Sequence, residues 1–486
     1  MTRPRPVRPP RRRVLLIYLA LVVAPALIAI AVLTGESTGS GHPAGRLPGD
    51  PLAALLLAVA VVVGACAVVG RLAHRVGQPP VVGEILAGLL LGPSLLGAVW
   101  PAAGDALLPD RVVPQLNALA QIGVVMFLFL TGLEVDTRLL RGRGRTALMV
   151  SHVSIAVPFL LGILVAIAAY GRLAPPGISY SAFALFLGVS MSVTALPVLV
   201  RILVDLNLLK QEIGVVALTC ALIDDVTAWS LLALVVALVT ASSALGAVTT
   251  VALTGLFVAV LVLVVRPALT RFTDRASDRR QRGAAPLALV GVLLCALATQ
   301  WIGVHAMFGA FLFGLVFPKD NALATWLLEK IRGLTTTLLL PLFFAYSGLQ
   351  TDVGLIGGDV TLWLWSGLLL VTAIVGKLGG SAIAARAAGE GWRRALQLGA
   401  MMNCRGLTEL VVLNVGLQLG VLSRTMFTML VLVALVSTAM TVPLVRLLTP
   451  RAERTADGPA EEPVEDLAVP VAVLAEPPPV EERRAA

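Results

Sequence analysis

Two adjacent aspartates, Asp224 and Asp225, lie inside an otherwise uncharged run of roughly 28 residues, and this feature constrains the fold more than any other. A run of that length is typical of a membrane-spanning helix, because the hydrocarbon core requires about 20 apolar residues at a rise of about 1.5 Å each. Both carboxylates are then near the bilayer centre, where an ionisable group costs several kcal/mol and indicates a function. The rest of the chain must supply groups that offset this cost.

The composition also indicates an integral membrane protein. Of the 486 residues, 58% are hydrophobic and 13% are charged, whereas soluble domains have about 25% charged residues. The four cysteines lie in apolar segments without CxxC spacing and are interpreted as small apolar side chains. The four histidines lack metal-ligand spacing, so neither a metal site nor a cofactor is predicted.

The order of the apolar segments predicts an all-α polytopic membrane protein. Residues 1–13 form a basic disordered N-terminus, 14–34 a signal-anchor or cleaved signal segment, and 35–50 a loop. The membrane domain covers 51–449, and the Pro/Ala/Glu-rich tail 450–486 is expected to be disordered in the cytoplasm. The predicted core has 13 segments, namely 52–73, 80–97, 115–133, 146–170, 180–204, 213–240, 244–265, 285–302, 303–317, 334–349, 361–385, 395–420 and 425–445.

The basic residues are distributed asymmetrically across the predicted membrane. Seven connections on one side hold 23 of the 37 Lys and Arg residues, whereas the loops of the opposite side hold four. By the positive-inside rule, both termini are cytoplasmic and the protein is multi-pass in the cell membrane. The net charge of +9 therefore reflects topology and contact with the lipid bilayer, and no nucleic-acid partner is expected.

Two sequence patterns recur in the two halves of the chain. The stretch 86–92 (LAGLLLG) has a counterpart at 308–314 (FGAFLFG), and 127–136 has a counterpart at 343–352, both ending in Gly-Leu-x-x-Asp. Counterparts are an odd number of segments apart, so they cross the membrane in opposite directions. Inverted repeats of this kind are typical of secondary transporters, whose sites lie near the midplane on broken helices.

Four segments place a deep polar residue at one level. Thr194, Asp224, Lys377 and Arg405 each lie about 9–11 residues from the cytoplasmic end of a segment, or roughly 14–16 Å. Arg405 has an acidic neighbour at the (i, i+4) position, Glu409. The accessory candidates are Ser192, Asn403 and Glu84.

Two of these segments are predicted to be broken helices. Pro197 removes a backbone hydrogen bond and frees the carbonyl group near Val193. The other segment contains Asn403, Gly406 and Thr408 in close succession. Unwound backbone at membrane depth is tolerated where it lines a cavity, and its carbonyl groups suit a small hard cation.

The two aspartates are predicted to have different partners. Burial disfavours a lone charge, and pairing restores it. Adjacent side chains point about 100° apart on a helix, so one carboxylate can pair with Lys377 while the other faces a cavity. We predict that Asp224 pairs with Lys377, and that Asp225 holds either a proton or a monovalent cation. Competition at one carboxylate would produce obligate exchange.

Two other functions use intramembrane acids. An intramembrane aspartyl protease-like enzyme needs two carboxylates that face each other, whereas adjacent residues on one helix diverge. A cation channel is disfavoured by the inverted repeat. We therefore expect a transporter and not an enzyme.

At these residues the chain resembles the monovalent cation:proton antiporter-2 family, especially its plant cation/proton exchanger branch. The resemblance covers roughly residues 52–447 and is carried by 77–94, 190–201, 302–319, 341–352 and 402–417. It implies a sodium/proton-antiporter fold, with a dimerisation domain beside a six-helix core that contains two crossing broken helices. It also implies a homodimer that works by alternating access.

The resemblance also implies roles for individual residues. Asp225 would bind the cation and the proton, Asp224 would pair with Lys377, and Thr194 and Arg405 would lie at the two helix breaks. The plant branch usually has Asn before the key aspartate, whereas this chain has Asp224, as in bacterial electrogenic sodium/proton antiporters. Arg405 and its neighbours follow the plant pattern, in which potassium is often the ion, so Na⁺ and K⁺ both remain open.

Overall fold

A computed structural model describes residues 51–134, 144–206, 208, 211–240, 244–319 and 321–449. Throughout these ranges the regular structure is helical, without a strand. The predicted N-terminal segment at 14–34, its flanking residues and the predicted tail at 450–486 lie outside the described residues.

The described chain forms 21 α-helices. In chain order they are α1 (Pro51–Arg75), α2 (Pro80–Leu91), α3 (Leu96–Val99), α4 (Pro101–Leu107), α5 (Val113–Glu134), α6 (Gly144–Leu173), α7 (Tyr180–Ser192), α8 (Leu196–Asp205), α9 (Glu212–Thr240), α10 (Ala244–Val260), α11 (Arg266–Arg275), α12 (Asp278–Gly283), α13 (Ala285–Ile302), α14 (Ala306–Val316), α15 (Ala322–Leu334), α16 (Leu340–Leu349), α17 (Val360–Ile374), α18 (Gly380–Ala387), α19 (Trp392–Met402), α20 (Leu407–Gln418) and α21 (Arg424–Leu448). Three wide turns of π-helix connect consecutive helices at Leu261–Val265, Thr335–Leu339 and Val375–Gly379, and a 3₁₀ turn covers Val353–Leu355.

The predicted all-α polytopic fold is confirmed, and eleven of the 13 predicted segments coincide with candidate membrane spans. Eleven helical spans in the described residues are long and apolar enough to cross a membrane. The other two segments are α14, with 11 residues, and the interrupted pair α19 and α20. The chain is therefore a multi-pass membrane protein.

Two of the connections between the predicted membrane segments, 266–284 and 318–333, contain short helices. The connection 266–284 contains α11 and α12, and the connection 318–333 contains α15. The side chain of Asn321 caps the first turn of α15. Gln281, which is buried, accepts a hydrogen bond from the backbone N–H of Ala322 at 3.0 Å. Capping and this contact between connections stabilise short helices that hydropathy alone does not detect.

The helices group into two compact units. The first contains the described residues up to Gly123 together with Leu338–Gly357, and the second contains Val124–Thr337 together with the described residues from Gly358 onward. In the first unit, α2 and α16 approach closely: a Cβ atom on Gly88 would collide with the Ala345 carbonyl group, and one on Gly348 with the Ile85 carbonyl group.

The second unit contains an equivalent pair, formed by α14 and the part of α5 from Val124 onward. A Cβ atom on Gly132 would collide with the Phe311 carbonyl group, and one on Gly314 with the Phe129 carbonyl group. These contacts match those of the first unit when Gly88 is equated with Gly314. The predicted repeat is therefore present, but its alignment of 86–92 with 308–314 is wrong by four residues, about one helical turn. Sequence similarity among small apolar residues cannot distinguish adjacent turns, whereas backbone contact can.

Two helices of the second unit are broken, as predicted. The first stops at Ser192 and resumes at Leu196, and the second stops at Met402 and resumes at Leu407. The two breaks meet, because the N–H group of Ala195 donates to the Cys404 carbonyl group at 3.1 Å. Each unwound segment thus supplies a hydrogen-bond partner that the other lost when its helix ended.

Candidate functional site

Asp224 accepts hydrogen bonds from three hydroxyl groups. Ser151 Oγ donates to Oδ1 at 2.5 Å, Ser154 Oγ donates to Oδ2 at 2.6 Å, and Thr194 Oγ1 donates to Oδ2 at 2.8 Å. All four side chains are fully buried. Both oxygens of the Asp224 carboxylate therefore have hydrogen-bond donors within the membrane.

Lys377 lies against the same carboxylate. Its Nζ atom is 3.1 Å from Asp224 Oδ2 and donates to Thr194 Oγ1 at 2.5 Å. Thr194 therefore accepts from the ammonium group and donates to the carboxylate. Because Thr194 is in the break between α7 and α8, the unwound segment is connected directly to the buried ion pair.

The backbone around Lys377 is a π-helical turn, Val375–Gly379, between α17 and α18. A Cβ atom on Gly376 would come within 2.9 Å of Pro158 on α6, so the absence of a side chain permits this close packing. Wide turns of this kind occur frequently at functional sites. Here the turn and the glycine bring Lys377 to the helix that carries Ser151 and Ser154.

Asp225 differs from its neighbour. Its side chain is 2% exposed, and its Oδ1 atom is buried without a hydrogen-bond partner among the described residues. One turn further along α9, the indole nitrogen of Trp229 is also buried and unpartnered within the same part of the chain. Since buried polar atoms are normally hydrogen-bonded, an unpartnered carboxylate oxygen next to an ion pair suggests a binding function.

Arg405 connects the two helix breaks. Its Nη1 atom donates to the Ser190 carbonyl group at 3.0 Å, and its Nη2 atom donates to the Met191 carbonyl group at 2.7 Å. These carbonyl groups belong to the last turn of α7, where the helix leaves acceptors unpaired and has partial negative charge. Nη1 also donates to Glu409 Oε1 at 2.7 Å. Arg405 thus neutralises a helix end and a buried carboxylate together.

Comparison with known proteins now identifies the family. A family model described as sodium/hydrogen exchanger, transmembrane, matches residues 57–447. The chain belongs to this family. The exchanger is 41% identical over 406 residues to the Na(+)/H(+) antiporter NhaS4 of Synechocystis sp.. The aligned region covers 82% of the exchanger and 98% of that relative.

Two eukaryotic relatives are longer than this exchanger. Cation/H(+) antiporter 20 of Arabidopsis thaliana is 40% identical, with 80% of the exchanger and 48% of the relative covered. K(+)/H(+) antiporter 1 of Saccharomyces cerevisiae is 34% identical, with coverage of 83% and 47%. The exchanger therefore spans about half the length of these two relatives.

A solved structure shares the fold of the exchanger. The sodium proton antiporter MjNhaP1 from Methanocaldococcus jannaschii matches with a TM-score of 0.60 and 14% sequence identity, over 82% of the exchanger and 99% of that chain. This match confirms the predicted sodium/proton-antiporter fold.

The accessory candidates lie in different places. Asn403 is in the second break, where Nδ2 donates to the Ser437 carbonyl group at 3.4 Å and Oδ1 has no partner among the described residues. The hydroxyl group of Ser192 bonds the Val189 carbonyl group at 2.8 Å, within its own helix. Glu84 is half-buried on α2, in the first unit.

Sequence reasoning missed Ser151, Ser154 and Thr438. The two serines contact Asp224, and Thr438 Oγ1 donates to the Arg405 carbonyl group at 2.7 Å while accepting from its N–H group at 3.0 Å. The only signal for the serines is their i, i+3 spacing, which places two hydroxyl groups on one face of a membrane helix.

Proposed function

We propose that this exchanger is a secondary active antiporter that exchanges a monovalent cation, Na⁺ or K⁺, for protons across the cell membrane. The observation that supports this proposal is the charge balance of the buried groups. In the part of the chain that the structure describes, five charged residues are buried: Asp224, Asp225, Lys377, Arg405 and Glu409. When all five are ionised, three acids and two bases leave one negative charge.

The remaining charge belongs to Asp225. Lys377 is paired with Asp224, and Arg405 is paired with Glu409 at 2.7 Å. An unpaired carboxylate is expensive inside a membrane, so it must take up either a proton or a cation. Since either one neutralises the site, each excludes the other. The site is then neutral only when a proton or a cation is bound. Only in this neutral state can its access change from one side of the membrane to the other.

The helix breaks support this site by placing charged helix ends near it. They place the N-termini of α8 and α20 and the C-terminus of α7 in the membrane, where each end has partial charge. Arg405 compensates the negative end of α7, as described above. In this proposal Asp224 and Thr194 hold Lys377 in place, and Asp225 makes direct contact with the transported ion.

The proposal includes both Na⁺ and K⁺ as candidates for the transported cation. The Synechocystis relative is named as a Na⁺/H⁺ antiporter and the yeast relative as a K⁺/H⁺ antiporter. Asp224 and Lys377 favour the sodium type and the Arg405–Glu409 pair favours the potassium type, by the resemblance described above. We further propose cytoplasmic termini, from the distribution of Lys and Arg, and a homodimer, from the family resemblance.

The intramembrane protease is not favoured. Asp224 is committed to three hydroxyl groups and an ammonium group, so it cannot share a proton with a facing aspartate as a catalytic dyad does. The family and the relatives named above are transporters, which also disfavours enzymatic activity. The cation channel lacks a supporting observation.

The proposal is tested with purified protein in liposomes that carry an imposed pH gradient. Addition of Na⁺ or K⁺ should collapse the gradient, as measured with a pH-sensitive dye. Asp225→Asn should abolish the response while the protein remains folded, because an amide neither titrates nor carries the charge that the ion neutralises. Failure of both cations to collapse the gradient in the wild type would refute antiport, and substantial exchange by Asp225→Asn would remove Asp225 from its role.

A further inference from the structure

Asp224 has more hydrogen-bond donors than its ion pair requires. Besides Lys377 and Thr194, Ser151 and Ser154 of α6 donate to it, one to each carboxylate oxygen, at 2.5 and 2.6 Å. Both serines are 0% exposed. Ser154 Oγ also lies 2.9 Å from the Ser151 carbonyl oxygen, an acceptor that would satisfy the hydroxyl group within α6. The contact of Ser154 Oγ with Asp224 is shorter.

A carboxylate paired only with an ammonium group depends on that group. If the ammonium is removed or loses its proton, the carboxylate is left as an uncompensated buried charge, which is strongly destabilising. A carboxylate that also accepts several hydroxyl hydrogen bonds keeps favourable contacts in its charged form. In this site, Ser151 and Ser154 donate directly to Asp224, whereas Thr194 also contacts Lys377.

We infer that Ser151 and Ser154 are positioning residues that hold the Asp224 carboxylate in place beside Asp225 independently of Lys377. The ammonium partner of Asp224 is then replaceable. This inference rests on the proposed antiport for its consequence in transport, but the support that the serines give to Asp224 can be tested by stability alone.

The position of the serines on α6 supports this role. They are one turn apart and therefore share a face of the helix. The sulfhydryl group of Cys220, one turn before Asp224, contacts the Ala147 carbonyl group at 3.5 Å, which is one turn before Ser151. α6 and α9 are thus packed in register along this face, and the two hydroxyl groups meet the carboxylate at a defined position.

The inference is tested with a cycle of variants of the full-length protein: Lys377→Ala, the double variant Ser151→Ala/Ser154→Ala, and the triple variant. Exchange rate and apparent KM for Na⁺ and for K⁺ are measured in liposomes, and melting temperature in detergent. Each of the first two variants should retain measurable exchange, because Asp224 keeps either hydroxyl or ammonium donors. The triple variant should lose at least ~10-fold more than the product of the separate losses, since groups that contact one partner are not additive.

A fourth variant shows whether the triple variant is unstable because of the charge on Asp224 or because of a general folding defect. Adding Asp224→Asn to the triple variant should restore the melting temperature, because an amide has no charge to stabilise. The matched control is Ser437→Ala in the Lys377→Ala background: Ser437 is equally buried, but its hydroxyl group donates to the Ala434 carbonyl group at 3.1 Å. This control should cause no extra loss.

Multiplicative losses, lack of rescue by Asp224→Asn, or an equal effect of Ser437→Ala would each overturn the inference. If wild-type protein shows no exchange with either cation, the proposed antiport fails instead. The melting temperatures of the same variants then still decide whether the serines support Asp224.

Discussion

Removal of the Arg405 guanidinium should be among the most destabilising single changes in this protein. Arg405→Leu eliminates hydrogen bonds to the Ser190 and Met191 carbonyl groups at 3.0 and 2.7 Å and to Glu409 Oε1 at 2.7 Å. Arg405 and Glu409 are both 0% exposed, so water cannot replace these contacts without opening the structure.

The size of the effect follows from what remains after the substitution. Glu409 becomes a buried carboxylate without its partner, which costs about 3–5 kcal/mol when a buried pair is broken. Each carbonyl group of α7 that loses its donor adds about 1–3 kcal/mol. The expected loss is therefore at least about 5 kcal/mol, comparable with the total stability of many proteins.

The assay is the free energy of unfolding in mixed micelles, measured by titration with SDS and followed by tryptophan fluorescence. The matched variant is Arg405→Leu/Glu409→Leu, which removes the stranded charge and should recover about 3 kcal/mol relative to Arg405→Leu. The reasoning is refuted if Arg405→Leu costs less than about 1 kcal/mol, or if the double variant is no more stable than the single one.

Three further predictions address the site and the repeat. Lys377→Ala should lower the melting temperature, because Asp224 loses its ammonium partner, and an unchanged melting temperature in detergent would contradict the role of the Asp224–Lys377 pair. In the proposed mechanism proton and cation compete at Asp225, so lowering the pH should raise the apparent KM for the cation at constant maximal rate. A KM that is independent of pH in flux assays would rule out competition. Gly314→Ala should destabilise the protein by about 1–3 kcal/mol or more, since the new Cβ atom would collide with the Phe129 carbonyl group. Gly255→Ala, where no atom lies within 4 Å of the new Cβ, is its matched control and should leave the melting temperature unchanged.

Several features of the site could be predicted because they depend on local sequence. The membrane segments are apolar runs of about 20 residues, and a charged residue within such a run is conspicuous without any knowledge of packing. Pro197 indicates one helix break for the same reason, since a proline removes a backbone hydrogen bond wherever the helix lies. Asp224, Asp225, Lys377 and Arg405 were therefore identifiable as buried charges at similar depth.

The partners of these charges depend on helix rotation and packing. Ser151 and Ser154 are 73 and 70 residues from Asp224 in the chain. Because hydroxyl groups are common on membrane helices, the sequence alone does not distinguish these two serines from others. Likewise, the wide turn at Lys377 has no sequence signature of its own. The difference between Asp224, with four donors, and Asp225, with an unpartnered oxygen, arises from which face of α9 meets α6 and the turn at Lys377. Sequence periodicity can identify a helix and its depth, but only packing against other helices orients its faces.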